Sequence, residues 1–124
     1  ELLQLADVVS LHVKLTEDTR HLLGARELGL MREGALLLNG ARGDVVDIEA
    51  LHESLVAGHL GGAGLDVFPQ EPLPENHPIL ECDQVILTPH AADQTLEGVD
   101  LLNGGAVDNV IAFLEGRPQN NVAV

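Results

Sequence analysis

The sequence predicts an α/β fold built on a parallel sheet, and three observations support that class. Short apolar, β-branched segments alternate along the chain with segments of helical periodicity. The predicted strands carry aliphatic residues on both faces, as is typical of parallel strands covered by helices. Hydrophobic residues make up 45% of the 124 residues and aromatic residues only 2%, so the core has to be aliphatic. The length fits one domain or part of one.

The first half of the chain contains two predicted strands and two predicted helices. The β-branched segment DVVSLHV at residues 7–13 predicts the first strand. A turn and a short helix at residues 25–31 follow, and ALLLN at residues 35–39 predicts the second strand. Asp47 is placed to cap the next helix, whose apolar residues share one face, and Gly58 is placed to end it.

The second half contains two more predicted strands and a long helix. GGAGLDVF at residues 61–68 predicts the third strand, with small residues where another segment packs closely. A loop with four prolines occupies residues 69–80, and QVILT at residues 84–88 predicts the fourth strand. Residues 95–115 have the spacing of a long helix. Strands and helices therefore alternate to the end of the chain.

The charge balance argues against several classes of partner. Six Lys and Arg stand against 20 Asp and Glu, for a net charge of −14. A nucleic-acid-binding protein needs a basic surface that neutralises phosphates, and an anionic membrane surface is disfavoured for the same reason. No apolar run is long enough to span a bilayer, and no signal peptide opens the chain. We therefore expect neither nucleic acid nor a membrane as a partner.

Cysteine and histidine usage points away from disulfides and metals. The single cysteine, Cys82, cannot form an internal disulfide, so we expect a reducing compartment and a cytoplasmic protein. Its acidic neighbours should raise the thiol pKa, so we interpret it as a partly buried small hydrophobic residue. We expect no metal site, because five histidines lack the spacing of metal ligands. These histidines are His12, His21, His52, His59 and His77.

Polar residues follow the predicted strands at their carboxyl ends. Arg42 follows the second strand, Asp66 ends the third and His90 follows the fourth, while the loop HVKLTEDT follows the first. Parallel α/β sheets bind ligands outside the carboxyl ends of their strands. We therefore expect these side chains to meet at one edge of the sheet.

Four blocks together carry a family resemblance: ADVVSLHVKLTEDTRHLLG, LLLNGARGDVVDIEAL, AGLDVFPQEPLP and VILTPHAA. In order and spacing they resemble the D-isomer-specific 2-hydroxyacid dehydrogenases, a family that includes phosphoglycerate dehydrogenase. The resemblance implies the second half of a Rossmann-like NAD-binding domain with flanking helices. Residues 1–117 would form this partial domain, which lacks the glycine-rich first half, and residues 118–124 a C-terminal tail. A first residue of Glu1 rather than Met also suggests a fragment.

The resemblance also implies roles for individual residues. Arg42 would grip the substrate carboxylate with two parallel donors. His90 would exchange the substrate hydroxyl proton, Glu71 would hydrogen-bond that histidine, and Asp66 would lie near the nicotinamide. The residues implied in cofactor binding are Val13, Thr19, Gly40, Ala41, Arg42, Asp66, His90 and Ala91. The implied reaction is hydride transfer between a D-2-hydroxy acid and NAD, with NADP not excluded.

Each of these residues also has a purely structural interpretation. Arg42 could form a surface ion pair with Asp44 or Asp47. Glu71 could be solvated in its proline-rich loop, and His90 could cap the following helix. Asp66 could be an ordinary residue of a strand-end turn.

Two function classes follow from the sequence. The first is an oxidoreductase of which this chain is a part that we expect not to turn over alone. The alternative is a truncated, non-catalytic Rossmann remnant that acts only as an oligomerising or binding module. Residues 7–13 would form an unpaired apolar sheet edge in either case, so we expect a homodimer or a higher homo-oligomer.

Overall fold

A computed structural model describes residues 1–120 of the protein. The chain forms two compact units, Glu1–Ala91 and Ala92–Val124. The predicted tail at residues 118–124 lies partly outside the described residues, since 121–124 are not among them. A domain boundary after residue 117 stays a prediction.

A parallel four-stranded sheet organises the first unit and confirms the α/β class. Its strands are β1 (Val8–Leu11), β2 (Leu36–Asn39), β3 (Gly62–Leu65) and β4 (Val85–Leu87), in the spatial order β1-β2-β3-β4. Leu11, Asn39, Leu65 and Leu87 lie side by side in the register. All four strands therefore end at the same edge, as the sequence predicts for the site.

The helices of the first unit are short. They are α1 (Leu2–Leu5), α2 (Ala25–Gly29) and α3 (Ile48–Val56), with single 3₁₀ turns at Glu17–Thr19, Gly43–Val45 and Pro78–Glu81. Asp47 caps α3 by accepting a hydrogen bond from the backbone N–H of Ala50 at 3.1 Å. Gly58 lies just beyond the end of α3 with a φ of 71°, a left-handed conformation that favours glycine. Both predicted ends of this helix are confirmed.

The core lies on one face of the sheet. Val9, Leu37 and Leu65 form a single buried cluster with side chains of α2 and α3, such as Leu28 and Leu51. The strand side chains that alternate with this set are exposed. They are Val8 at 49%, Leu36 at 42%, Leu38 at 41% and Ile86 at 74%. One face of the sheet therefore carries exposed apolar side chains within residues 1–120, in keeping with the expected apolar surface beside the first strand.

The second unit consists mainly of α4 (Leu96–Leu114). Thr95 caps this helix by accepting a hydrogen bond from the backbone N–H of Gly98 at 3.0 Å. Many of its apolar side chains are exposed, including Leu101 at 77% and Phe113 at 70%. No helix in the described part of the chain combines the length and the apolar character needed to cross a membrane.

Candidate active site

The loop after β2 presents Arg42, and the buried amide of Asn39 shapes that loop. Asn39 is only 2% exposed. Its Oδ1 accepts from the backbone N–H of Ala41 at 3.1 Å, and its Nδ2 donates to the carbonyl of Arg42 at 3.0 Å. A buried amide with both ends satisfied holds a loop in one conformation. This role of Asn39 was not predicted, and its only signal in the sequence is an amide at the end of an aliphatic strand.

Gly43 allows the Arg42 loop to touch the segment that leads to Glu71. A Cβ atom at Gly43 would lie 2.0 Å from the carbonyl carbon of Phe68 and 2.3 Å from the nitrogen of Pro69. Both are backbone atoms, so no side-chain rotation can make room. Only glycine fits at this contact, and the contact brings the loops after β2 and β3 together.

Glu71 and His90 are hydrogen-bonded, as the sequence predicts. The distance from Glu71 Oε2 to His90 Nδ1 is 2.8 Å, and Glu71 Oε1 accepts from the backbone N–H of Phe68 at 2.9 Å. A carboxylate can only accept, so Nδ1 carries the proton of this bond and Nε2 remains for exchange with a ligand. The interpretation of Glu71 as a merely solvated side chain is therefore wrong.

The backbone of His90 is left-handed, with a φ of 54°. This conformation is uncommon for a residue with a side chain and costs free energy, and such strain is concentrated at functional sites. His90 follows Pro89 at the end of β4, and its N–H bonds the carbonyl of Thr88 at 3.0 Å. His90 does not cap α4, since that position belongs to Thr95.

The hydrogen bond shifts the pKa of both partners. Bonding to the Glu71 carboxylate raises the pKa of His90 above its ordinary value, and bonding to His90 and to the Phe68 N–H lowers the pKa of Glu71. The raised His90 pKa stabilises the fold at low pH, and this contribution is lost as the pH rises through the folded-state value. The lowered Glu71 pKa acts in the opposite sense, and its contribution is lost as the pH falls. The Glu71–His90 ion pair is therefore present at pH values between the lowered pKa of Glu71 and the raised pKa of His90.

Asp66 supports the turn that carries His90. It is 8% exposed. Its Oδ1 accepts hydrogen bonds from the hydroxyl of Thr88 and from the backbone N–H of Ala91, the latter at 2.9 Å. The same carboxylate contributes to raising the pKa of His90. Asp66 is thus a buried anchor for the segment on both sides of His90, more than a simple turn residue.

Arg42 makes no ion pair within residues 1–120. Asp44 instead pairs with Arg20, and Asp47 caps α3. One guanidinium nitrogen of Arg42 donates to the carbonyl of Ala41 at 2.6 Å. The interpretation of Arg42 as half of a surface ion pair is therefore wrong, and Arg42 is exposed.

Two hollows meet at Arg42. The first, which we call the strand-end groove, has a volume of about 320 Å³ and is lined by Leu11, His12, Val13, Lys14, Gly40, Ala41 and Arg42. The second, which we call the catalytic hollow, has a volume of about 220 Å³ and is lined by Leu15, Arg42, Gly43, Asp44, Phe68, Pro69, Glu71 and His90. The structure thus brings Arg42, Glu71 and His90 to one hollow.

The predicted cofactor residues divide between lining and supporting positions. Val13, Gly40, Ala41 and Arg42 line the strand-end groove, and His90 lines the catalytic hollow. Thr19, Asp66 and Ala91 line neither of them. The hydroxyl of Thr19 donates to the carbonyl of Lys14 at 2.8 Å and so supports the rim of the groove.

Other reactive side chains do not form a second centre in the described part of the chain. No cluster of three or more potential metal ligands occurs among residues 1–120. Burial and the neighbouring Glu81 and Asp83 raise the pKa of Cys82, which packs against the core. The interpretation of Cys82 as a partly buried residue is confirmed.

Comparison with known proteins gives consistent matches. Residues 1–92 match the family model described as D-isomer specific 2-hydroxyacid dehydrogenase, NAD binding domain. A glyoxylate reductase from Thermofilum pendens is 49% identical over 116 residues, which are 94% of this chain and 34% of that protein. The chain thus spans about a third of the length of this relative.

Solved structures of related proteins share the fold of this chain. A D-lactate dehydrogenase from Aquifex aeolicus, complexed with NAD and lactic acid, has a TM-score of 0.83 and 37% identity over 94% of this chain and 39% of its own. An acyclic imino acid reductase in complex with NADPH and D-Arg has a TM-score of 0.91 and 30% identity over 98% of this chain and 39% of its own. The chain belongs to the NAD-binding domain family of the D-isomer specific 2-hydroxyacid dehydrogenases.

Proposed function

We propose that this chain forms the catalytic half of the nucleotide-binding domain in an NAD- or NADP-dependent oxidoreductase of D-2-hydroxy acids. The observation that carries the proposal is the Glu71–His90 hydrogen bond in the same hollow as Arg42, which has no ion pair among the described residues. His90 would carry the proton, Glu71 would hold His90 in place, and the guanidinium of Arg42 would bind an anion. A 2-hydroxy acid needs all three, because it has a hydroxyl proton to lose and a carboxylate to hold.

His90 exchanges the proton in this reaction. A dinucleotide held by the residues of the strand-end groove would supply the acceptor for the hydride that leaves C2 of the substrate during oxidation. The hydroxyl proton passes to Nε2 of His90, and the product is a 2-keto acid. Glu71 stabilises the imidazolium that results, because its carboxylate accepts from Nδ1–H. In the reverse direction the protonated His90 donates to the new hydroxyl.

Arg42 orients the substrate in this scheme. Its guanidinium offers parallel N–H donors that match the two oxygens of a carboxylate. Arg42 and His90 line the same hollow, so a short 2-hydroxy acid held by the first has its hydroxyl within reach of the second. The loop held by Asn39 fixes this arrangement before the substrate arrives.

The strand-end groove fits an extended anionic ligand such as a dinucleotide. Gly40 and Ala41 line the groove with little side-chain bulk, and a Cβ atom at Gly40 would meet nothing within 4 Å. Lys14 and Arg42 supply positive charge along the same groove. Val13 and Ala41 would give apolar contact, and Thr19 would support the rim of the groove. Asp66 and Ala91 would instead hold the turn that carries His90.

The test is Arg42→Lys in the enzyme that carries this chain. We expect kcat/KM for reduction of glyoxylate or pyruvate by NADH or NADPH to fall about 10- to 100-fold, because an ammonium cannot form the two-point contact. Nucleotide oxidation followed by absorbance measures the effect. The matched control is Arg26→Lys, since Arg26 lies on α2 and pairs with Glu27. An unchanged kcat/KM in Arg42→Lys would remove the proposed role of Arg42.

The proposal includes a cytoplasmic homo-oligomer. A reducing compartment fits the single thiol. Within residues 1–120, β1 pairs with β2 alone, and Val8, Leu36 and Leu38 expose apolar surface beside that edge. The same surface favours the second candidate function, a non-catalytic oligomerising module. We expect light scattering of the 124-residue chain to give a mass of at least two protomers, and the mass of one protomer at micromolar concentration would contradict the oligomer. Association of the chain, together with no nucleotide oxidation by the enzyme that carries it, would favour the non-catalytic module.

A further inference from the structure

The positive charges of this acidic chain are distributed unevenly. Four arginines pair with carboxylates, and these are Arg20, Arg26, Arg32 and Arg117. Lys14 and Arg42 make no ion pair within residues 1–120, and both line the strand-end groove. In a chain with a net charge of −14, unpaired cations side by side mark a place where a negative ligand gains electrostatic stabilisation.

The loop that carries Lys14 is held in place. The hydroxyl of Thr19 donates to the carbonyl of Lys14 at 2.8 Å and accepts from the backbone N–H of Thr16 at 2.7 Å. Arg20 then pairs with Asp44, and the backbone N–H of His21 donates to the carbonyl of Asp44 at 2.7 Å. The loop is therefore fixed against the neighbouring strand-end loop, while the exposed ammonium of Lys14 stays available to a ligand.

We infer that Lys14 is a further cofactor-binding residue, whose ammonium contacts a phosphate of the dinucleotide in the strand-end groove. The inference rests on the proposed function and adds a residue to it. An ammonium is a compact charge with three rotatable donors, which suits a phosphate of variable orientation better than a planar carboxylate. The guanidinium of Arg42 binds the substrate carboxylate in the proposed function. Lys14, which also lacks an ion pair in the described part of the chain, is then the cation that binds the phosphate.

The experiment is an NMR titration of the 124-residue chain with NADH and with NADPH at low salt, following the amide signals of Gly40 and Ala41. Lys14→Gln should weaken binding about threefold to tenfold, and the loss should shrink as salt is added. Lys14→Arg should restore most of the affinity. Arg26→Gln removes the same charge outside the groove and should leave the affinity unchanged. Uncharged adenosine should bind equally to the unmodified chain and to Lys14→Gln.

The two nucleotides distinguish which phosphate is contacted. Equal weakening for both supports contact with a phosphate that they share, and weakening for NADPH alone supports contact with its additional phosphate. If both nucleotides bind and Lys14→Gln changes neither affinity, the inference is wrong while the proposed function stands. If the unmodified chain binds neither nucleotide at millimolar concentration, the inference about Lys14 is wrong, while the proposed function is judged separately by Arg42→Lys in the enzyme that carries this chain.

Discussion

His90→Ala, introduced into the enzyme that carries this chain, is expected to lower kcat for 2-keto acid reduction by about 10²- to 10⁴-fold. The imidazole is the group in the catalytic hollow that can gain and lose a proton near neutral pH, and alanine leaves no substitute. Arg42 is untouched, so KM for the keto acid should change much less than kcat. Steady-state kinetics with saturating nucleotide separate the two parameters.

The control for this variant is His52→Ala. His52 lies on α3 and outside both hollows, so its removal tests whether loss of any histidine lowers the rate. We expect normal kcat in this control and normal nucleotide affinity in both variants. A kcat within twofold of the unmodified enzyme after His90→Ala would show that another group carries the proton.

Gly43→Ala is expected to lower the free energy of unfolding by about 3 kcal/mol or more. The new methyl group would overlap the carbonyl carbon and oxygen of Phe68, at 2.0 and 2.2 Å. The loops after β2 and β3 have to move apart to make room for the methyl group. This movement loosens their packing and changes the position of Arg42 relative to Glu71. Urea unfolding followed by circular dichroism measures the change.

Gly29→Ala provides the matched control for that measurement. Gly29 is the last residue of α2, is exposed, and a Cβ atom there would meet nothing within 4 Å. Alanine favours helix, so the expected change is no loss of stability and a gain of up to about 1 kcal/mol. Similar stabilities for Gly43→Ala and Gly29→Ala would mean that the close contact at Gly43 is relieved elsewhere at little cost.

The placement of the site could be predicted because it depends on local patterns and one topological rule. Strands alternate with helices, so the strands run parallel, and residues that follow them meet at one edge. Arg42 and His90 each follow a strand within three residues of its end. The hydrogen bond between Glu71 and His90 needed the family resemblance as well, because 19 residues separate them along the chain.

Other features depend on contacts between distant segments and could not be predicted. The role of Gly43 comes from the backbone of Phe68, and that of Asn39 from a loop conformation, and neither leaves a periodic pattern. The first strand extends only over Val8–Leu11, because its pairing with β2 ends at Asn39 and leaves Val13 in the groove wall. Aliphatic residues on both faces of a strand predict burial, yet Leu36 and Leu38 are exposed.

The central claim is that Glu71 and His90 act as one proton-exchanging unit, and the most direct test is the pKa of His90 measured by NMR in the 124-residue chain. We predict a value above the ordinary histidine value of about 6.5, since the Glu71 carboxylate stabilises the imidazolium. Glu71→Gln should lower it toward that value. Glu75→Gln, which removes a charge from the same loop, should leave it unchanged, because the Glu75 side chain makes no hydrogen bond or ion pair within residues 1–120. A His90 pKa at or below the ordinary value, unmoved by Glu71→Gln, would contradict the account.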